Sequence, residues 1–223
     1  MKFTSYDSRY HLMEGVAARI IDDLEAALVQ LTRVTLSVPG GTTPGPVFDI
    51  LAKRDLDWAR VDILLNDERW VGAESTRSNS RLLEERLLVR NAAKARLVPL
   101  YLPYETPEQA LSLLAEGIAT SLPISVLLLG MGPDLHTASL FPGADLLDVA
   151  LANDAPLIMA MRVDAAQEPR ITLTARVLTK AHKAHVLITG TEKKQALLAA
   201  VGLPFTKAPI NIMRESATFH WAV

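Results

Sequence analysis

The sequence predicts an α/β fold, a single domain built on a mostly parallel β-sheet with helices on both faces. Three observations carry this reading. Short apolar runs of strand length, such as Val61–Leu65 and Val126–Leu129, read as strands buried on both sides. Between them lie segments whose apolar residues recur at the three- and four-residue spacing of an amphipathic helix. A length of 223 residues with 49% hydrophobic content suits one continuous core. No internal repeat, low-complexity tract or linker divides the chain, so one domain over residues 1–223 is expected.

Taken in order, Leu12, Met13, Val16, Ala17, Ile20, Ile21, Leu24, Ala27, Leu28 and Leu31 predict a long helix from about Ser8 to Leu31. The β-branched run Val34–Val38 predicts a strand, and Pro39-Gly-Gly-Thr-Thr-Pro-Gly-Pro46 a sharp break before a helical Val47–Ala52. Strand Val61–Leu65, helix Ser78–Arg90 and strand Leu97–Leu100 follow. Pro107–Ser121 is predicted helical with proline in its first turn, and Val126–Leu129 a buried strand. Beyond a long Gly/Pro loop come strands Leu157–Arg162 and Ile171–Thr174, helix Ala175–Lys180, strand His185–Ile188 and helix Glu192–Val201. In such sheets ligands bind beyond the carboxyl ends of the strands.

Composition narrows the function. With 23 basic and 25 acidic residues the net charge is −2, so no global field gathers nucleic acid or anionic membrane. The absence of cysteine excludes disulfides, thiolate metal sites and a cysteine nucleophile. No His/Asp/Glu grouping has metal spacing, so no metal is expected. The start, Met-Lys-Phe-Thr-Ser-Tyr-Asp, lacks the apolar run of a signal peptide, and no apolar stretch reaches membrane length; a cytoplasmic protein is expected.

Three loops just past apolar strands could hold chemistry. In the first, Gly40, Gly41, Thr42 and Thr43 offer backbone N–H groups, hydroxyls and a helix start to a phosphate, although an ordinary tight turn has the same residues. It is not a Walker loop, because the Gly-Lys-Ser/Thr ending is missing. In the second, Asn66-Asp67-Glu68-Arg69-Trp70, Arg69 presents a planar fork suited to phosphate or an oxyanion, with Ser78-Asn79 shortly after. A surface ion-pair cluster would read the same way. The third, Gly130–Gly143, opens like a dinucleotide fingerprint but has Leu135 at the sixth position, which argues against nicotinamide binding. Within it Asp134 and His136 are two apart. A carboxylate beside an imidazole fixes its tautomer and favours its charged form, as a general base needs; a histidine merely bonded within its loop is the alternative. His11, His182, His185 and His220 lack such surroundings and are read as surface or packing residues. Arg170 opens the strand Ile171–Thr174. Lys193 lies in a helix's first turn, against the helix dipole, which is understandable if it faces an anion. Lys194 next door shows that position alone does not decide.

Together and in order these pieces resemble the 6-phosphogluconolactonase family. The matching stretches are Pro39–Pro44, Asn66-Asp-Glu-Arg-Trp-Val71, Ser78-Asn79, Gly130-Met-Gly-Pro-Asp-Leu-His-Thr-Ala-Ser-Leu-Phe-Pro-Gly143, Arg170–Thr174 and Gly190-Thr-Glu-Lys193. The resemblance implies a modified Rossmann-like fold shared with glucosamine-6-phosphate deaminase and ribose-5-phosphate isomerase, and no cofactor. It implies hydrolysis of 6-phospho-D-glucono-1,5-lactone by a monomer or weak homo-oligomer, with no nucleic-acid or membrane partner. His136 would be the base that activates water and Asp134 its support. Arg69 would stabilise the oxyanion or the phosphate. Gly40, Gly41, Thr42, Thr43, Asp67, Asn79, Arg170 and Lys193 would bind substrate. The related deaminase reads His-Ile-Ala-Phe-Asn-Glu-Pro-Gly where this chain has His136-Thr-Ala-Ser-Leu-Phe-Pro-Gly143. A non-catalytic sugar-phosphate sensor would call for a DNA-binding appendage, and no basic helical module is present. The chain departs from the family at Leu135, where glycine is usual, and at Gly72, where proline is common. If residue 135 needs a positive φ, leucine strains it by on the order of 1–3 kcal/mol.

Overall fold

A computed structural model describes residues 1–164 and 167–223. Strand β1 (Lys2–Ser5) leads to helix α1 (Arg9–Gln30). The Ser8 side chain starts this helix by accepting a hydrogen bond from the His11 N–H at 3.2 Å. Leu12, Val16, Ala17, Ile20 and Leu24 have no exposed surface, as their spacing predicts. Burying each large aliphatic side chain contributes about 1.5–3 kcal/mol. This stripe lies against strands β2 (Val34–Val38), β6 (Val126–Gly130), β9 (Lys183–Thr189) and β10 (Thr218–Ala222).

With β3 (Val61–Leu65) and β5 (Arg96–Val98) these strands form a seven-stranded sheet, ordered β1-β10-β9-β6-β2-β3-β5, in which every pairing is parallel. Every residue of β2 and β3 is buried, so both faces of the sheet are covered. The chain runs outward one way through β2, β3 and β5, then restarts beside β2 at β6 and runs the other way through β9 and β10. The carboxyl ends of β2 and β6 therefore flank a topological switch point, where open α/β sheets leave a crevice.

A second, antiparallel sheet consists of β4 (Asp67–Arg69), β8 (Arg170–Leu173) and β7 (Ile158–Met161). Helices α2 (Gly45–Leu51), α3 (Asn79–Arg86), α4 (Leu111–Ala119), α5 (Leu147–Leu151), α6 (Ala175–Leu178) and α7 (Thr191–Ala199) complete the fold. The predicted core strands and helices are all present, with ends shifted by a few residues.

The differences are instructive. The mostly parallel sheet is wholly parallel, and the antiparallel part stands apart from it. Strand β4 was expected as loop, because three charged residues carry no strand pattern; pairing with β8 imposes the conformation. β1 is short and largely exposed, and neither β1 nor β10 is anticipated by the sequence reading. Helix α3 ends at Arg86 rather than Arg90, since Arg90 takes a left-handed φ of 53° and opens a 3-10 turn. Pro107–Ala110 is likewise a 3-10 turn, leading into α4. Among the histidines, His11 and His182 are exposed, whereas His185 and His220 are buried packing residues.

Candidate active site

A cleft of about 380 Å³ opens at the switch point. Of the residues singled out from the sequence, Gly40, Gly41, Thr43, Asp67, Arg69, Asn79, His136, Arg170 and Lys193 line it. Thr42 and Asp134 stand outside the lining. Thr42 is exposed, and its carbonyl accepts from the Gly45 N–H in the turn to α2. Asp134 is one step back, with Oδ1 at 2.5 Å from Nδ1 of His136.

The His136 loop takes its shape from two non-glycine residues in the left-handed region. Leu135 has φ 70° and Ala138 φ 50°. The positive φ foreseen for position 135 is thus present without the glycine, at an expected strain of on the order of 1–3 kcal/mol. Hydrogen bonds hold it there: Leu135 donates to the Gly132 carbonyl at 3.1 Å and its own carbonyl accepts from Ile210 at 3.1 Å. Gly132 also donates to the His136 carbonyl at 3.0 Å. A Cβ on Gly132 would lie 2.2 Å from the imidazole and 2.5 Å from the Asp134 carboxylate, so only glycine leaves room for the pair. For Asp134 burial acts most strongly and raises the pKa. The hydrogen bond and charge of His136 outweigh it, and the carboxyl ends below its ordinary value. An ionised Asp134 accepts a hydrogen bond from Nδ1–H, which leaves Nε2 of His136 as the unprotonated nitrogen that can accept a proton.

In the same cleft, Arg69 and Arg170 face each other across the β4–β8 register. Like charges directly opposed in a sheet repel. Both Nε atoms are buried without a hydrogen-bond partner. Burial is the main influence on Arg170 and lowers its pKa; Asp67, 3.9 Å away, opposes that shift and Arg69 adds to it. Two crowded, under-satisfied guanidinium groups in one cleft are what an anion would relieve. Lys193 adds a third cation from the first turn of α7. Its pKa is lowered chiefly by burial, against the attraction of Asp134. Lys194 instead lies 3.7 Å from the Trp221 ring centroid, which separates the two lysines.

Buried polar residues around the cleft lock these groups together. Glu68, with no exposed surface, accepts from the N–H groups of Arg69 (2.8 Å), Asn79 (2.7 Å) and Ser80 (2.7 Å), so it joins β4 to the start of α3. Asn79 donates to the Asp67 carbonyl at 2.9 Å and crowds the space a Cβ at Gly40 would need. Ser139 donates to Asp67 Oδ2 at 2.6 Å, which ties the base loop to the arginine strand. The sequence reading missed Glu68 and Ser139 as organisers, because each works through partners distant in the chain. Phe141 also lines the cleft. Its ring lies 4.2 Å from that of His136. Among the described residues, no group of three or more His, Asp or Glu side chains is placed to hold a metal ion, and no helix is long and apolar enough to cross a membrane.

The chain has relatives in sequence and in fold. The family described as glucosamine-6-phosphate isomerases/6-phosphogluconolactonase matches residues 7–221. A 6-phosphogluconolactonase of Rhizobium meliloti (strain 1021) is 42% identical over 192 residues, 85% of this chain and 82% of that protein. Another, from Caulobacter vibrioides, is 36% identical over 200 residues, 88% of this chain and 86% of its own length. The crystal structure of a 6-phosphogluconolactonase from Shewanella baltica OS155 superposes with a TM-score of 0.96 at 31% identity, covering 100% of this chain and 98% of that one.

Proposed function

The chain belongs to the family of glucosamine-6-phosphate isomerases and 6-phosphogluconolactonases, and from that premise we propose that it hydrolyses 6-phospho-D-glucono-1,5-lactone to 6-phospho-D-gluconate with His136 as general base. The observation that carries the mechanism is the 2.5 Å contact between Asp134 and His136 in a cleft that two paired arginines also line.

Nε2 of His136 takes a proton from water as the water oxygen bonds to C1, and the carbonyl pair moves onto the carbonyl oxygen. On collapse the bond between C1 and the ring oxygen breaks, and that oxygen takes the proton back from the imidazolium. Asp134 holds the tautomer and offsets the transient positive charge. Arg69 serves the anionic charge, as oxyanion or phosphate ligand. Gly40, Gly41, Thr43, Arg170 and Lys193 hold the phosphate and sugar hydroxyls, while Thr42, outside the lining, shapes the turn into α2. Asp67 and Asn79 fix the arginine wall. Charges set in place beforehand cost no reorganisation during reaction.

The whole chain, 1–223, acts as one lactonase domain, a monomer or weak homo-oligomer of the cytoplasm, without metal, cofactor, nucleic-acid or membrane partner. The near-complete overlap with the Shewanella baltica structure supports the single domain, and the net charge of −2 supports the absence of a nucleic-acid or membrane partner. The test is the decay of 6-phosphogluconolactone against its spontaneous hydrolysis. Acceleration by catalytic amounts of protein is expected, whereas decay at the spontaneous rate would refute the activity.

A further inference from the structure

The turn that follows the base has no place in the mechanism above, yet it is built at a cost. Thr137 and Leu140 bridge antiparallel, and Leu140 donates to the Thr137 carbonyl at 3.0 Å. The corner needs Ala138 at φ 50°. Folding the chain back this way sets the Phe141 ring 4.2 Å from the His136 ring, tilted by 37°. The Arg170 guanidinium carbon lies 6.0 Å from the centroid of the same ring. The base and one anion-binding cation thus share a single aromatic neighbour, which itself lines the cleft.

Resting on the reading of His136 as base, we propose that Phe141 is a positioning residue for the reaction. Its ring stops the imidazole turning away from Asp134 and presents a π-surface to the imidazolium formed when water gives up its proton. The other constraints on the imidazole come from Asp134 and from the closely packed backbone of Gly132. A tilted face contact at this distance attracts a cationic ring more than a neutral one. The charged groups around the base are Asp134 on the same loop, Lys193 on α7, Arg170 on β8, and Asp67 and Arg69 on β4. Phe141 is the aromatic among them, so its removal changes the imidazolium's surroundings without changing formal charge.

The test compares Phe141→Leu and Phe141→Tyr with the wild type in kcat, KM, the acid limb of the kcat profile and the NMR titration of the His136 ring. Phe141→Leu keeps an apolar side chain of similar bulk but lacks the π-face. It should lower kcat about fivefold, the equivalent of a modest cation–π contact. KM should stay within about twofold of wild type, and the acid limb and NMR midpoint should both move to lower pH. Phe141→Tyr should restore all of these. Wild-type kcat and an unmoved midpoint in Phe141→Leu, a loss confined to KM, or a tyrosine variant as impaired as the leucine one would overturn the proposal. The NMR titration needs no substrate, so it still decides the aromatic contact if the wild type fails to hydrolyse the lactone.

Discussion

Two histidine–aspartate pairs in this molecule share the same chemistry and occupy opposite environments. His136 meets Asp134 at 2.5 Å on the wall of the cleft, its side chain 28% exposed. His185 meets Asp23 at 2.9 Å in the interior, and its other nitrogen lies 3.0 Å from His220, which in turn contacts the Tyr6 hydroxyl at 2.9 Å. Burial dominates the interior pair. It lowers the pKa of His185 despite Asp23, and it lowers that of His220 to about 4, helped by the neighbouring His185. Those imidazoles stay neutral and tie α1, β9, β10 and the β1–α1 turn together. At His136 the partner carboxylate stays ionised and the cleft admits water. What separates a proton-transfer pair from a structural one is access and desolvation, not the presence of a carboxylate.

The comparison breaks most visibly under truncation. His136→Ala should lower kcat by about a hundred- to ten-thousandfold with the fold intact. His185→Ala should leave the kcat of folded enzyme near wild type while costing about 1–3 kcal/mol of stability, because Asp23 and His220 lose buried partners. Steady-state rates alongside chemical denaturation would expose any exchange of those roles.

Gly132→Ala attacks only the cleft pair. Its methyl would fall 2.2 Å from the imidazole. A displacement on the order of 1 Å costs roughly a hundredfold in rate. Wild-type kcat in that variant would mean that the close packing of Gly132 is not needed to place the base.

The interior pair makes its own prediction about acid. His185 and His220 bind protons less readily folded than unfolded, so the unfolded state takes up more protons as pH falls below about 6.5. Stability should be full above that value and fall progressively toward pH 4. His220 alone accounts for about 3 kcal/mol at the limit. Denaturation midpoints from pH 7 to 4.5 should drop in wild type and drop less in His220→Phe. Parallel curves would show that the acid sensitivity lies elsewhere.

The smallest expected effect concerns Lys193. Because burial lowers its pKa, it loses its charge at lower pH than an ordinary lysine. KM for the phosphorylated lactone should therefore climb on the alkaline side at a pH below the ordinary lysine range, with kcat little changed. Lys193→Arg should delay that rise, since a guanidinium stays charged. A KM indifferent to alkaline pH would detach Lys193 from the substrate.

Much of this was legible beforehand, for physical reasons that differ by region. Strands β2, β3, β6 and β9 are buried on both faces, so their apolar runs announce them, and α1 shows its period over six turns' worth of chain. β4 is invisible because Asp67, Glu68 and Arg69 form a strand only through the β8 partner a hundred residues on. The base loop was readable through its motif, and Leu135 was flagged by departing from a glycine, which its φ of 70° explains. Glu68 was not readable, since its role exists only once α3 begins beside β4. His185 and His220 carry no local sign that three elements will bury them together.

The most direct test of the central claim is the rate of 6-phosphogluconolactone decay, corrected for spontaneous hydrolysis, measured side by side for wild type, His136→Ala and His185→Ala. The account predicts strong acceleration by wild type, near-complete retention in folded His185→Ala, and a rate about a hundred- to ten-thousandfold below wild type in His136→Ala. A His136→Ala protein as fast as wild type would contradict it.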